Sequence, residues 1–450
     1  MGQKTLLVGC GAGFSGDRTD AALPVVKTLI KRGGRAALIF ENLGERTLAL
    51  QHLLKRKDPT LGYEPLMDLE LRPILGLCLE HGITIVSNFG AANPQAAGQR
   101  ILKLAQELNL PRPRVAIVSG DDLSDERGTE LIKQHIGRDF DEDRFVCANV
   151  YQGAREIADA ILNGAQIVVT GRVSDPSLTL GPAIAYYGWP DDAWDCLAGA
   201  TMAGHLLECG AQVTGGYFAD PGKKNVQGLD DIGFPIAEIF PDGSSQISKA
   251  ENTGGLLDTR TVKEQLLYEV HDPARYITPD VVADISQAEV IEIASNVVGL
   301  SGVKGHSRTD TLKANVFFDG GWLGEGEISY AGPNAEGRAR LAIQTLQKRL
   351  MTQYGLSLRC DLIGVCSVFN DDANRMLGAG TPQGAMDVRA RVAAHHEDTA
   401  PIDALLREVT ALWTCGPAGG GGVRVNKRQR LSTTSCLIDR DHVPAQFHFI

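Results

Sequence analysis

The stretch Val8-Gly9-Cys10-Gly11-Ala12-Gly13-Phe14-Ser15-Gly16-Asp17-Arg18-Thr19-Asp20 follows the apolar run Thr5-Leu6-Leu7-Val8. Gly11 to Gly16 reads as G-x-G-x-x-G, and its interpretation decides the rest. A strand ending in such glycines can cradle a pyrophosphate, and Glu41, at the end of the next apolar run, sits where dinucleotide folds place a ribose-binding carboxylate. Three details oppose that reading. Asp17 follows the third glycine, where its charge would repel a phosphate. Asp20 or Thr19 is the best N-cap, so the helix starts late and its positive end misses the glycines. Pro24 fits that late start, because proline is tolerated in a first helical turn. Gly13-Phe14-Ser15-Gly16-Asp17 also misses the serine-hydrolase pattern G-x-S-x-G at its last position. What remains is a tight turn presenting Ser15, Asp17 and Arg18, either toward a polar substrate or as an ion pair bracing the loop.

Working outward, short apolar runs alternate with amphipathic segments through the first 180 residues. Strands are expected at Thr5–Gly9, Ala36–Phe40, Thr84–Asn88, Val115–Ser119 and Gln166–Thr170. Helices are expected at Asp20–Arg32, Pro94–Leu108 and Ala154–Asn163. This alternation predicts an α/β fold with a mainly parallel sheet and flanking helices. Two helical segments are expected within Pro182–Gly210, a helix at Thr261–Val270, and strands at Glu289–Ala294 and Asn296–Leu300.

Near residue 300 the composition shifts. Leu312–Phe318 and Glu325–Tyr330 read as neighbouring strands, Ala335–Gln353 as a helix, Asp361–Ser367 and Val388–Ala394 as strands, and Ala400–Trp413 as a helix. The expected division is therefore an α/β domain over 1–300 and a smaller α+β, ferredoxin-like domain over 301–450. The basic run from Val423 to Arg430 is read as a solvated loop, with an anion site as the alternative.

A formal net charge of -11 over 450 residues argues against a nucleic-acid surface, which needs clustered positive charge. No leader pattern is read at Met1-Gly2-Gln3-Lys4, and Leu6 breaks the myristoylation pattern after Gly2. No window has the length of a membrane span. Nine dispersed cysteines without C-x-x-C suggest reduced thiols in a cytoplasmic protein.

In an open α/β sheet the carboxyl ends of the strands line the ligand crevice. The candidates are therefore the strand-end residues. Gly13, Ser15 and Gly16 offer N–H groups for an oxyanion. Arg18 and Arg172 could hold a carboxylate bidentately. Asn88 and Asn93 supply amides, and Asn93-Pro94 also reads as a helix start. Ser174-Asp175-Pro176 reads as another, with Asp175 as cap or substrate ligand. Asp17, Asp121 and His205 are the candidate proton carriers. Asp121-Asp122 could share a divalent cation, or solvate a loop. His205 and Glu208 share a helix face. His395-His396 looks metal-like, but adjacent strand residues face opposite ways. No resident cofactor is called for.

Several stretches resemble the acyclic terpene utilisation AtuA family: GAGFSGDR (11–18), SNFGAANP (87–94), VVTGRVSDPSLTLGP (168–182), GHLLECGAQVTGG (204–216), GFPIAEI (233–239), the long block NTGGLLDTRTVKEQLLYEVHDPARYITPDVVADIS (252–286) and CGPAGGGG (415–422). The resemblance spans nearly the whole chain. It implies an α/β protein from a catabolic setting, in which branched terpenoid acids are handled as coenzyme A thioesters, and it is compatible with a small separate partner subunit. It carries over no catalytic residues. The expectation is a cytoplasmic, homo-oligomeric enzyme acting on a branched carboxylic acid or its acyl-CoA thioester by lyase or hydratase chemistry. An accessory acyl-CoA-binding subunit and an NAD(P)-dependent oxidoreductase are the alternatives.

Overall fold

A computed structural model describes residues 5–378 and 384–450. Met1–Lys4, where the leader and acylation readings fall, lies outside the described residues. The fold is mixed α/β with twelve helices among the described residues, and the chain divides into two compact units. The first comprises Met1–Phe140, Val146–Phe317 and Thr434–Ile450; the second comprises Asp141–Phe145 and Phe318–Thr433. The division expected near residue 300 thus falls at 317, and the last segment returns to the first unit. Its strand Gln446–Phe449 pairs antiparallel with Val115–Ser119.

The first unit is built on a ten-stranded sheet. Five neighbouring strands are parallel, in the spatial order Leu6–Ala12, Arg35–Phe40, Thr84–Ser87, Ile167–Thr170, Val115–Ser119. They are near-continuous apolar runs, as strands covered on both faces must be: Val8, Leu38, Ile39, Ile85, Val86 and Val168 are fully buried. Four antiparallel strands extend one side: Pro235–Ile239, Ser245–Lys249, Val297–Ser301 and Glu289–Ala294. The sheet is therefore mixed rather than mainly parallel. Tight turns such as Asp242–Ser244 join these later strands, and a short turn can only reverse the chain.

The glycines of the opening stretch serve packing. A side chain at Gly9 would meet Val25 on the helix Ala22–Arg32, one at Gly11 would enter the Phe40 ring, and one at Gly13 would strike the backbone of Gly210. That helix starts late, as expected, but Ala21 stands at its N-cap with no side-chain cap bond, because Asp20 turns to Arg18 instead. Sequence periodicity did not reveal the strand Phe145–Val150, which the structure adds.

In the second unit the order of elements is strand, helix, strand, strand, helix, strand. Leu312–Phe318 and Glu325–Tyr330 form one continuous strand, Thr311–Ala331, of which residues 318–331 belong here. Its glycines do not turn the chain: side chains at Gly324 and Gly326 would collide with Ile402 and Val409 of the helix Thr399–Cys415, so they let that helix lie close. In space the strands run Arg359–Ile363, Asp387–His396, Thr311–Ala331, Gly421–Asp439. The basic run is part of the last of these, not a loop.

Candidate functional site

The loops leaving the parallel strands gather at one end of the first unit's sheet and border a cleft of about 670 Å³. Its walls come from Gly13, Phe14 and Asp17 after the first strand, Glu41 to Glu45 after the second, and Arg172 and Asp175 after Ile167–Thr170. Cys209, Tyr268 and Glu269, with Tyr151 and Lys313, complete it.

The question raised by the glycine loop has a geometric answer. Asp17 Oδ2 accepts from Gly13 N at 2.9 Å, and Oδ1 accepts from Arg18 N at 2.8 Å. The loop's own carboxylate thus occupies the Gly13 N–H, one of the donors that a pyrophosphate or oxyanion would use, and places a negative charge beside the others. The first strand also lacks a second parallel neighbour, since its other partner is the antiparallel Pro235–Ile239. A dinucleotide crevice opens where two parallel halves diverge. Burial pushes the Asp17 carboxyl up from the usual aspartate range, against the pull of its two N–H bonds.

The remaining residues of that turn point elsewhere. Arg18 makes a two-pronged contact with Asp20, at 2.9 and 3.0 Å, and lies 4.0 Å from Asp231. Ser15 lies against the buried Glu64, and Gly16 supplies the positive φ of 100° that lets the chain turn. Neither Ser15, Gly16 nor Arg18 borders the cleft.

Arg172 does border it, but as a braced group. Only 2% exposed, it donates to Leu43 O and Asp175 Oδ1, and its guanidinium carbon lies 4.2 Å over the Tyr151 ring. Its two terminal nitrogens donate within the protein, Nη1 to Leu43 O and Nη2 to Asp175, while the buried Nε has no hydrogen-bond partner; Arg18 turns to Asp20 instead. Asp175 correspondingly does not cap the helix Ser177–Tyr187, whose N-cap is Pro176 without a side-chain bond. Burial raises the Asp175 carboxyl and Arg172 opposes that rise.

Asp121 is sealed beneath the floor. Its Oδ2 accepts from Arg172 N at 2.7 Å and from Asn149 Nδ2 at 3.0 Å, and Asn149 Oδ1 meets His52 Nε2 at 2.9 Å. Burial pushes Asp121 up to about 6. Asp122 instead accepts from Ser124 N and lies 3.8 Å from Lys55, so the two carboxylates turn to different partners. Among the described residues no group of three or more His, Cys, Asp or Glu is placed to hold a metal.

Asn93 is consumed by structure. It caps the helix Pro94–Glu107 and donates to Pro59 O and Leu61 O. Asn88 lies behind the cleft, accepting from Asn42 N and donating to Glu41 Oε1 at 2.9 Å. His205, 1% exposed, also lies behind it: Nδ1 meets Glu208 Oε1 at 2.9 Å. Burial works against its charge, but the Glu208 carboxylate outweighs that and raises the ring; burial raises Glu208 itself to about 7. His395 bonds Gly320 O and His396 accepts from Asp398 N, so they act separately.

The group that sequence reasoning undervalued is Glu41. Its Oε1 accepts from Leu43 N at 2.8 Å and from Asn88. Burial, then the neighbouring Asp175 charge, pushes it up to about 8. Its strand-end position was visible, but only its link to a nucleotide ribose was considered. Glu45, Tyr151 and Lys313 were missed altogether. The Tyr151 hydroxyl donates to Glu45 at 2.9 Å, and Lys313 lies 3.2 Å from the same oxygen. They come from a helix start, the residue after an unrecognised strand, and a strand more than a hundred residues away, so no local pattern links them.

No helix among the described residues is long and apolar enough to cross a membrane. A family model, "Acyclic terpene utilisation family protein AtuA", matches residues 6–449. No curated protein matches.

Proposed function

The chain belongs to the acyclic terpene utilisation AtuA family, and on that premise we propose that it is an enzyme acting on a branched, terpenoid-type carboxylic acid or its acyl-CoA thioester by lyase or hydratase chemistry at the strand-end cleft. The observation that carries the reading is Glu41, a held carboxyl bordering an open cleft and raised to about 8. A carboxylic acid that keeps its proton near neutral pH is suited to general acid–base work.

In the hydratase direction, water adds across a double bond next to the carbonyl. Its oxygen bonds one carbon, and a proton reaches the other from Glu41. A carboxylate, for which Asp17 is the candidate, takes the proton that water loses. Arg172, held by Asp175, Leu43 and Tyr151, keeps positive potential at the cleft floor, where negative charge grows on the carbonyl oxygen. The strand order of the second unit supports reading it as a ferredoxin-like layer. Nine free thiols support a reducing, cytoplasmic setting.

The test incubates the purified chain with branched unsaturated acids and their thioesters in ¹⁸O-water. Label incorporation or chain cleavage by mass spectrometry, abolished in Glu41→Gln, is expected. Binding without turnover, rescued by a second protein, would replace this reading with an accessory role.

A further inference from the structure

The charges that border the strand-end cleft do not balance: five carboxyl groups line it against two cations. Both cations are already matched. Arg172 gives Nη2 to Asp175, and Lys313 lies 3.2 Å from Glu45 Oε1. Three carboxyls remain. Glu41 is held by Leu43 N and Asn88 Nδ2, and burial keeps its proton on. Asp17 is held by the N–H groups of Gly13 and Arg18, while the Arg18 guanidinium turns to Asp20. Glu269 is exposed on the wall, and its side chain has no hydrogen bond or ion pair among the described residues.

An uncommon backbone puts Glu269 there. Val270 N donates to Leu267 O at 3.3 Å, closing a turn directly after the helix Thr259–Leu267. Tyr268 has φ -64° and ψ 127°, and Glu269 has φ 60°, the shape of a type II turn whose third residue is normally glycine. A turn alone would be better served by glycine. A glutamate held in the left-handed region is strained, and such strain gathers at functional sites.

Apolar surface shares the same cleft. Phe14 and Tyr217, 57% and 79% exposed, stand on its wall, where an acyl chain can lie against their rings. A carboxylate entering beside Asp17 and Glu269 would add another uncompensated negative charge at short range. An uncharged carbonyl meets no such repulsion, and a protonated Glu41 can donate to its oxygen.

We propose that the cleft admits an acyl group whose carbonyl carries no charge, as in a thioester, and turns away the free carboxylate, with Glu269 setting that preference. This rests on the reading of the cleft as the acyl site and narrows it to one form of the substrate.

Binding of three probes to the full chain, measured by calorimetry and ligand-observed NMR, tests it: senecioic acid, its primary amide and its N-acetylcysteamine thioester. The acid and the amide share a shape and differ in charge. The amide and the thioester are expected to bind, the amide about tenfold or more tighter than the acid at neutral pH. Glu269→Gln removes the charge at an exposed position, so the acid should gain several-fold while the amide stays unchanged. A residue that only shapes the turn would move both alike. Added salt should also narrow the gap by screening. Acid bound as tightly as the amide, or a gap that Glu269→Gln leaves intact, overturns this inference and leaves the cleft as the acyl site. Binding of none of the three overturns both.

Discussion

Glu41 and Asp121 each follow a parallel strand, each is almost completely buried, and burial raises both, to about 8 and about 6. Their surroundings differ in one respect. Glu41 borders the open cleft, whereas Asp121 is closed in by the backbone of Arg172 and the amide of Asn149. A perturbed carboxyl is therefore not by itself a reactive one: burial tunes the proton, and access decides whether a substrate can use it. On this account Glu41 acts on a substrate and Asp121 positions the turn that carries Arg172.

The largest expected effect sharpens that contrast. Glu41→Gln, nearly isosteric, should lower turnover about 100-fold to 10,000-fold while leaving the fold intact, read by steady-state kinetics beside circular dichroism. Asp121→Ala should do the reverse in kind. It strands two buried donors, so chemical denaturation should show a loss of about 2 to 4 kcal/mol.

The third prediction concerns pH. Glu41, Glu70, Glu208 and Asp121 all have folded pKa values above their ordinary ones. Between the ordinary carboxylate range and about 8 the native state therefore binds more protons than the unfolded chain. Stability should then fall as pH rises through that window. Melting temperatures at mildly acidic and mildly alkaline pH check this, and Glu41→Gln should flatten part of the slope. The smallest effect is expected at Asp20→Ala. The Arg18–Asp20 pair is well exposed, so its loss should change stability by no more than about 1 kcal/mol and leave turnover unaltered. A large loss of activity there would return Arg18 to the site.

The parallel core was legible because covered strands read as unbroken apolar runs ended by glycine or polar residues; Val115–Ser119 was located to the residue. The late helix start and the conflict between Asp17 and a phosphate were legible too, since both follow from local charge and capping. The mixed edge of the sheet was not, because its hairpin strands look like those of any antiparallel sheet. Nor was the direction in which a strand-end side chain turns. Arg18 and Arg172 look alike in sequence, yet one meets Asp20 at the surface and the other is locked between Asp175 and Tyr151. The basic run Val423–Arg430, part of the strand Gly421–Asp439, read as a loop because its residues are largely exposed, as those of edge strands often are.

The most direct test is a crystal structure of Glu41→Gln soaked with a branched acid and, separately, with its thioester. The account predicts ligand density in the strand-end cleft, with the acyl carbonyl region within hydrogen-bond reach of residue 41 and the Arg172–Tyr151 stack beside it. Density found only elsewhere on the molecule, with that cleft left to solvent, would contradict it.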